Sequence, residues 1–211
     1  MAIQTQGFSG VVDEVDTTFR ARRISIRPPE VINWNSISGV SGLLTGVAAA
    51  GPVFSFRNTG INLIMVRRLS AGFITTTAFT AAQGLYYNML KANAFTASDT
   101  GGTALYTAGA NKHRNSFTNI TSAPDIRIAT TAALTAGTRT LEAIPLAAAC
   151  GTSNAVGASL AMSPLFSHDP GDYPLILAQN EGFIITNGIA MGAAGVINLL
   201  INLEFAEATA F

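Results

Sequence analysis

From position 196 to 206 the chain alternates without a break. Ile197, Leu199, Ile201, Leu203 and Phe205 fall on one side, and Asn198, Leu200, Asn202 and Glu204 on the other. A period of two sends successive side chains to opposite faces, so 196–206 predicts a strand with one face buried and one partly wet. Shorter runs repeat the pattern. In 52–58, Phe54 and Phe56 alternate with Ser55 and Arg57; Thr59-Gly60 supplies a turn; 61–69 continues, so 52–69 predicts a hairpin. Strands are also expected over 20–27, ended by Pro28-Pro29, and over 125–131 and 138–144, around Ala136-Gly137. A further pair, 174–178 and 183–187, flanks a turn at 179–182.

One window departs from period two. Thr80 and Gln83 have capping-box spacing, and Leu85, Met89 and Ala92 share a helical face, so 81–92 predicts one short α-helix. Residues 1–18, with Asp13, Glu14 and Asp16, are expected as an extended arm. Residues 30–51 are expected as loop or irregular extended chain, 146–172 as a small, polar loop ending in a turn-rich run, and 93–124 as a long loop or a lobe of short strands. Many short strands set off by Gly and Pro turns make the chain mainly β. The expectation is a single β-rich domain over 19–211, built as a β-sandwich or jelly-roll-like body.

Composition turns the question from chemistry to assembly. Hydrophobic residues make up 48% of the 211, yet only 11% are charged, against roughly 25% in ordinary soluble domains. Formal net charge is zero and the pI is about 6.7. A nucleic-acid partner is therefore not expected, because it calls for a basic face, and neutrality favours association. The start, MAIQTQGFSG, lacks the regions of a secretory signal. The apolar stretches 39–54 and 188–203 are too short and too broken by Gly or Asn to span a bilayer as helices, so no membrane partner is expected. Cys150 is the only cysteine, which rules out a disulfide within the chain.

The residue types of catalysis are present but scattered. His168, Asp169 and Asp172 form the only local group resembling metal ligands, in a Pro-Gly turn where Asp ordinarily caps its own backbone. Neither Gly7-Phe-Ser-Gly10 nor Gly39-Val-Ser-Gly42 has nucleophile-elbow spacing. Asp13 with Glu14, or Glu204 with Glu207, read as solvated charges rather than an acid–base pair. No enzyme activity, metal or cofactor is expected. The candidate site is an interface. Arg20, Arg22, Arg23 and Arg27, with Arg67 and Arg68, are the densest basic groups, and Trp34 is the only tryptophan. Planar, weakly hydrated guanidinium groups suit interfacial pairing, and a lone Trp suits an anchor.

Three stretches resemble structural proteins of tailed-bacteriophage virions, of the minor capsid, decoration or cement type. They are Gly10-Val-Val-Asp-Glu-Val-Asp16 with Phe19-Arg-Ala-Arg-Arg-Ile-Ser-Ile-Arg-Pro28; Asp125-Ile-Arg-Ile-Ala129 with Leu134-Thr-Ala-Gly-Thr-Arg-Thr-Leu-Glu142; and Pro174-Leu-Ile-Leu-Ala-Gln-Asn-Glu-Gly-Phe183 with Glu204-Phe-Ala-Glu207. The resemblance implies a virion location and contacts with a capsid or tail protein; the expectation is a protein made in the host cytoplasm and placed on the capsid surface. Its implied partners are the major capsid protein and further copies of itself. Two alternatives stay open: a tail, connector or baseplate component, and a spike-associated carbohydrate-binding or hydrolase module.

Overall fold

A computed structural model describes residues 5–6, 12–15, 22–23, 34–106, 111–112, 120–168 and 174–208. The chain divides into two compact units, Met1–Ile32 and Asn33–Ala210. In the first, β1 (Thr5–Gln6), β2 (Val12–Val15) and β3 (Arg22–Arg23) form an antiparallel sheet in that order. The expected arm, 1–18, supplies two of these strands.

The second unit holds β4 (Trp34–Val40), β5 (Pro52–Arg57), β6 (Leu63–Thr77), β7 (Gln83–Phe95), β8 (Thr103–Ala104), β9 (Asn111–Lys112), β10 (Asp125–Ile128) and β11 (Arg139–Leu141). There follow β12 (Ala147–Ser153), β13 (Ser159–Ser167), β14 (Leu175–Leu177), β15 (Gly182–Asn187) and β16 (Val196–Ala208). They form two antiparallel sheets. One runs β13-β6-β16-β4-β9, with β14 also on β6; the other runs β11-β7-β15-β5-β10-β8, with β12 also on β7. The protein is mainly β, as its patterning predicts.

The alternation in β16 explains how the sheets meet. Ile197, Leu199, Ile201, Leu203 and Phe205 are all buried and face the other sheet. Phe205 meets Phe56 of β5 edge-on at 5.7 Å, and Phe56 stacks on Phe183 of β15 at 5.2 Å. Phe73 of β6 lies 6.1 Å from Tyr87 of β7. Each such ring contributes about 2–3 kcal/mol of burial, so the layers are joined by an aromatic seam.

Four expectations are corrected. The 81–92 helix is replaced by β7, and the described residues contain no α-helix. Leu85 and Met89 fit a helical face, but Tyr87 between them is also fully buried, which only period two allows. β15 on one side and β11 and β12 on the other supply the ladder bonds, so tertiary pairing overrides local propensity. Gln83, expected in a capping box, instead donates to Ala190 O (2.6 Å) and accepts from Gly192 N–H (2.8 Å).

The 52–69 hairpin is an arch. β5 and β6 belong to different sheets, and fully buried Asn58 organises the crossing. Its amide donates to Asn62 O and Leu177 O and accepts from Gly60 N–H, bonds that would otherwise come from a ladder. Within the segments expected as loop, 34–40 is β4, while 146–172 contains β12 and β13. Parts of 93–124 are tied to both sheets: 93–95 extend β7, β8 pairs with β10, and β9 pairs with β4.

Candidate assembly face

The buried parity of β16 fixes what its sheet shows on the outside. Leu200 pairs with Val40 and Gly72, Asn202 with Ser38 and Ser70, and Glu204 with Ser36 and Arg68. Ile37 of β4 and Leu69, Ala71 and Phe73 of β6 go into the core, so these partners stand on the outer face. Val40 is 60% exposed, Ile74, opposite Asn198, 43%, and Met162 on β13 44%. From the Ser38–Asn202–Ser70 row to the far end of the sheet, no residue of β4, β16, β6 or β13 is charged. Gly72 lets β13 come close: a Cβ there would lie 2.8 Å from Leu160 O and 3.2 Å from Met162 Cα.

The other end of this face holds three of the sequence-predicted interface residues. The β16–β6 register shifts between Glu204 and Phe205, whose partners are Arg68 and Val66. Arg67 is the extra residue of a bulge. Val66 and Leu69 are therefore both fully buried, and the two arginines between them stay outside. The Arg67 guanidinium lies 5.7 Å from the Trp34 ring centroid, a cation–π contact that covers the indole. Trp34 is 9% exposed and Arg68 is exposed beside Glu204. Arg22 and Arg23 lie in β3 of the first unit. Arg20 and Arg27 fall outside the described residues, as do Asp169 and Asp172.

Sequence reasoning missed a polar lock on the other sheet. The guanidiniums of Arg57 and Arg139 lie 5.9 and 5.8 Å from the Phe95 centroid. Arg57 donates to Asn180 Oδ1 at 2.6 Å and Ser98 Oγ at 3.0 Å. Arg139 forms an ion pair with Asp99, which also accepts the Gly137 N–H at 2.7 Å. Both side chains of the pair are buried, and burial pulls the Arg139 pKa down. Ala92, Phe95 and Ile184 form a small apolar cluster of their own, with Leu90 packed against it. A buried charge in a chain with so few charges was the available signal; its partner lies too far along the sequence to infer.

Glu204 and Glu207 do not converge: Glu204 stands against Arg68, while Glu207 binds Asn62, Thr121 and Ser122. Among the described residues no group of three or more His, Cys, Asp or Glu is placed to hold a metal ion. An open depression of about 300 Å³ lies between Phe79–Gln83 and Gly192–Ala194, where the Gln83 amide is already engaged. No protein-family model matches the chain, and no curated protein matches it.

Proposed function

We propose that this chain is a non-enzymatic structural protein of a tailed-bacteriophage virion, a cement or decoration protein that binds the assembled lattice of the major capsid protein. The observation that carries the reading is the outer face of the β4-β16-β6-β13 sheet: broad, pleated and uncharged over most of its length, with Trp34, Arg67, Arg68 and Glu204 at one end. Interface cores are depleted in charge and enriched in Arg; this face is uncharged over most of its length and carries Arg67 and Arg68 at one end, with Trp34 buried beneath Arg67. In this reading the Trp34–Arg67–Arg68 end meets the capsid, and the N-terminal segment reaches a neighbouring subunit. Binding only the assembled shell stabilises it by mass action.

Strand order supports the same reading. Taking only the strands of six residues or more, β4-β16-β6-β13 lie in one sheet and β5-β15-β7-β12 in the other. We read this as a jelly-roll-like arrangement of eight strands, an architecture common in capsid proteins.

The test is co-sedimentation with assembled capsids that lack the protein. Saturating, stoichiometric binding is expected, weakened by R68E and by removal of residues 1–18, while both variants still unfold cooperatively. A chain that leaves capsids bare overturns the reading, and binding to tails alone replaces it with a tail component.

A further inference from the structure

We infer that the open edge of β12 pairs antiparallel with β12 of a second copy of this chain, about a two-fold axis at Cys150, so that the β12-bearing sheets of the two copies become one. The inference goes beyond the capsid reading above and stands without it.

The phase of the ladder shows which backbone groups face this edge. Tyr86 O accepts the Gly188 N–H from the β15 side at 2.6 Å, and Met89 O accepts the Leu146 N–H from the β12 side at 2.8 Å. Even-numbered residues of β7 therefore bond toward β15 and odd-numbered ones toward β12, as antiparallel pairing alternates. Leu85 stands opposite Gly151, Tyr87 opposite Ala149 and Met89 opposite Ala147, so these three residues of β12 turn their N–H and C=O groups to β7. Those of Ala148, Cys150 and Thr152 point the other way, and their side chains are exposed. Among the described residues no strand pairs with that side of β12.

The other edges are guarded. β13 carries Pro164, which has no N–H, and two register shifts. β4 takes β9 at Asn35 and Ser36, and further along Leu105 covers it, 2.6 Å from where a Gly39 Cβ would stand. β10 takes β8. Proline, bulges, charge and cover are the means by which sheet edges avoid pairing. β12 reads Ala-Ala-Ala-Cys-Gly-Thr-Ser, with no proline, charge or register shift, and a bare edge of this kind accepts an added strand.

Symmetry selects the strand. β12 runs from Ala147 to Ser153 with Cys150 at its centre. Ile144, 80% exposed, stands six residues before Cys150, and Val156, 67% exposed, stands six after. An antiparallel two-fold at Cys150 sets each Ala148 against the other copy's Thr152 and each Cys150 against its counterpart, so every outward N–H and C=O of the three residues gains a partner. The facing side chains are small, so the strands meet without a clash. The same operation lays the Ile144 end of each copy along the Val156 end of the other. One self-complementary contact thus covers two of the three most exposed large apolar side chains among the described residues, twice each. A strand of an unrelated protein would satisfy the backbone, but the equal spacing of these two side chains about the centre fits only a copy of β12.

The experiment is the mass of the purified full chain by sedimentation equilibrium over a wide concentration range, without capsids, together with cross-linking by a short bismaleimide, which acts at Cys150, the only thiol. Wild type is expected at an even multiple of the 21.9 kDa chain mass and yields a covalent dimer. T152P removes an N–H that faces the second copy and none that faces β7. It and I144K/V156K are expected at half the wild-type mass, with the cross-link lost. I61K, at an 84% exposed position in the arch before β6, keeps the wild-type mass. Circular dichroism and a cooperative melt check the fold of each, and I144K/V156K takes the place of T152P if that variant does not fold. A wild type at one chain mass, an odd-numbered assembly, or a folded edge variant that keeps the wild-type mass overturns the inference. A monomer that still saturates capsids would sink this inference and leave the cement reading standing. A β12-dependent dimer that ignores capsids would do the reverse.

Discussion

Glu207, in the last turn of pleat of β16, accepts the backbone N–H of Ser122 at 2.9 Å and takes the Ser122 hydroxyl on the same oxygen. Its other oxygen accepts the Thr121 N–H at 2.8 Å, and Asn62 Nδ2 adds a further bond at 2.9 Å. One carboxylate therefore fastens the 120–122 segment and the arch before β6 to the final strand.

That arrangement makes stability sensitive to acid. Burial alone would raise the Glu207 pKa, but the bonds from Ser122, Thr121 and Asn62 outweigh it and hold the group below its ordinary value of 4.5. A carboxyl depressed in the folded state contributes stability above its unfolded pKa and loses it as pH falls through the folded value. Bonds to a charged acceptor are worth about 1.5–3 kcal/mol, less here because the group is partly exposed. E207Q should lower Tm by about 3–6 °C near pH 7. The gap from wild type should close once pH is well below 4.5. Melting curves at both pH values check this; a gap that does not change with pH would refute it.

The Asp99–Arg139 pair should behave as a buried ion pair, not a surface one. D99N leaves the Arg139 guanidinium enclosed without its counter-charge, which costs about 3–5 kcal/mol, or on the order of 10 °C in Tm. R139M in the D99N background removes the stranded charge and should recover part of that loss. Urea unfolding of the two single variants and the double variant measures the coupling. A cost for D99N below about 1 kcal/mol, the level of an exposed pair, would contradict the geometry.

How much of this was legible in the chain follows from where each signal lies. β16 could be read to within two residues because its alternation is unbroken, and 183–187 because its apolar run is bounded by turns. β12 holds only small residues, with no large apolar side chain to set a period, and in β13 the alternation of Leu160, Met162 and Phe166 is interrupted by Pro164 and by two register shifts, so pairing with β7 and β6 makes them strands. At 58–62 the same Asn and Gly residues serve a hairpin or an arch, and the choice rests on Asn58 reaching Leu177. The site was half visible. Trp34 and Arg67 were singled out by type, but their contact depends on the β4-β16-β6 register and on the bulge at Arg67, neither of which the sequence displays.

Tyr87 offers the one change expected to stabilise the protein. Its ring is fully buried against Phe73, and its hydroxyl has no hydrogen-bond partner among the described residues. Leaving a buried hydroxyl unsatisfied costs about 1–3 kcal/mol, whereas phenylalanine keeps the packing without the polar group. Y87F should therefore raise Tm by a few °C. The pH dependence has a definite sign. Burial raises the Tyr87 pKa well above its ordinary value of 10.0, so above that pH the unfolded chain ionises while the folded one does not. Stability from this group is complete below the unfolded pKa and drains away as pH rises toward the folded one, at about 1.4 kcal/mol per pH unit. Y87F lacks the group, and its advantage over wild type should widen from about pH 9 to pH 11. Because the remaining tyrosines are common to both proteins, their titration cancels in the difference. Denaturant unfolding of the two proteins across that range provides the measurement; an advantage that stays flat, or a Y87F less stable than wild type, would mean that the hydroxyl is hydrated or bonded in the folded protein.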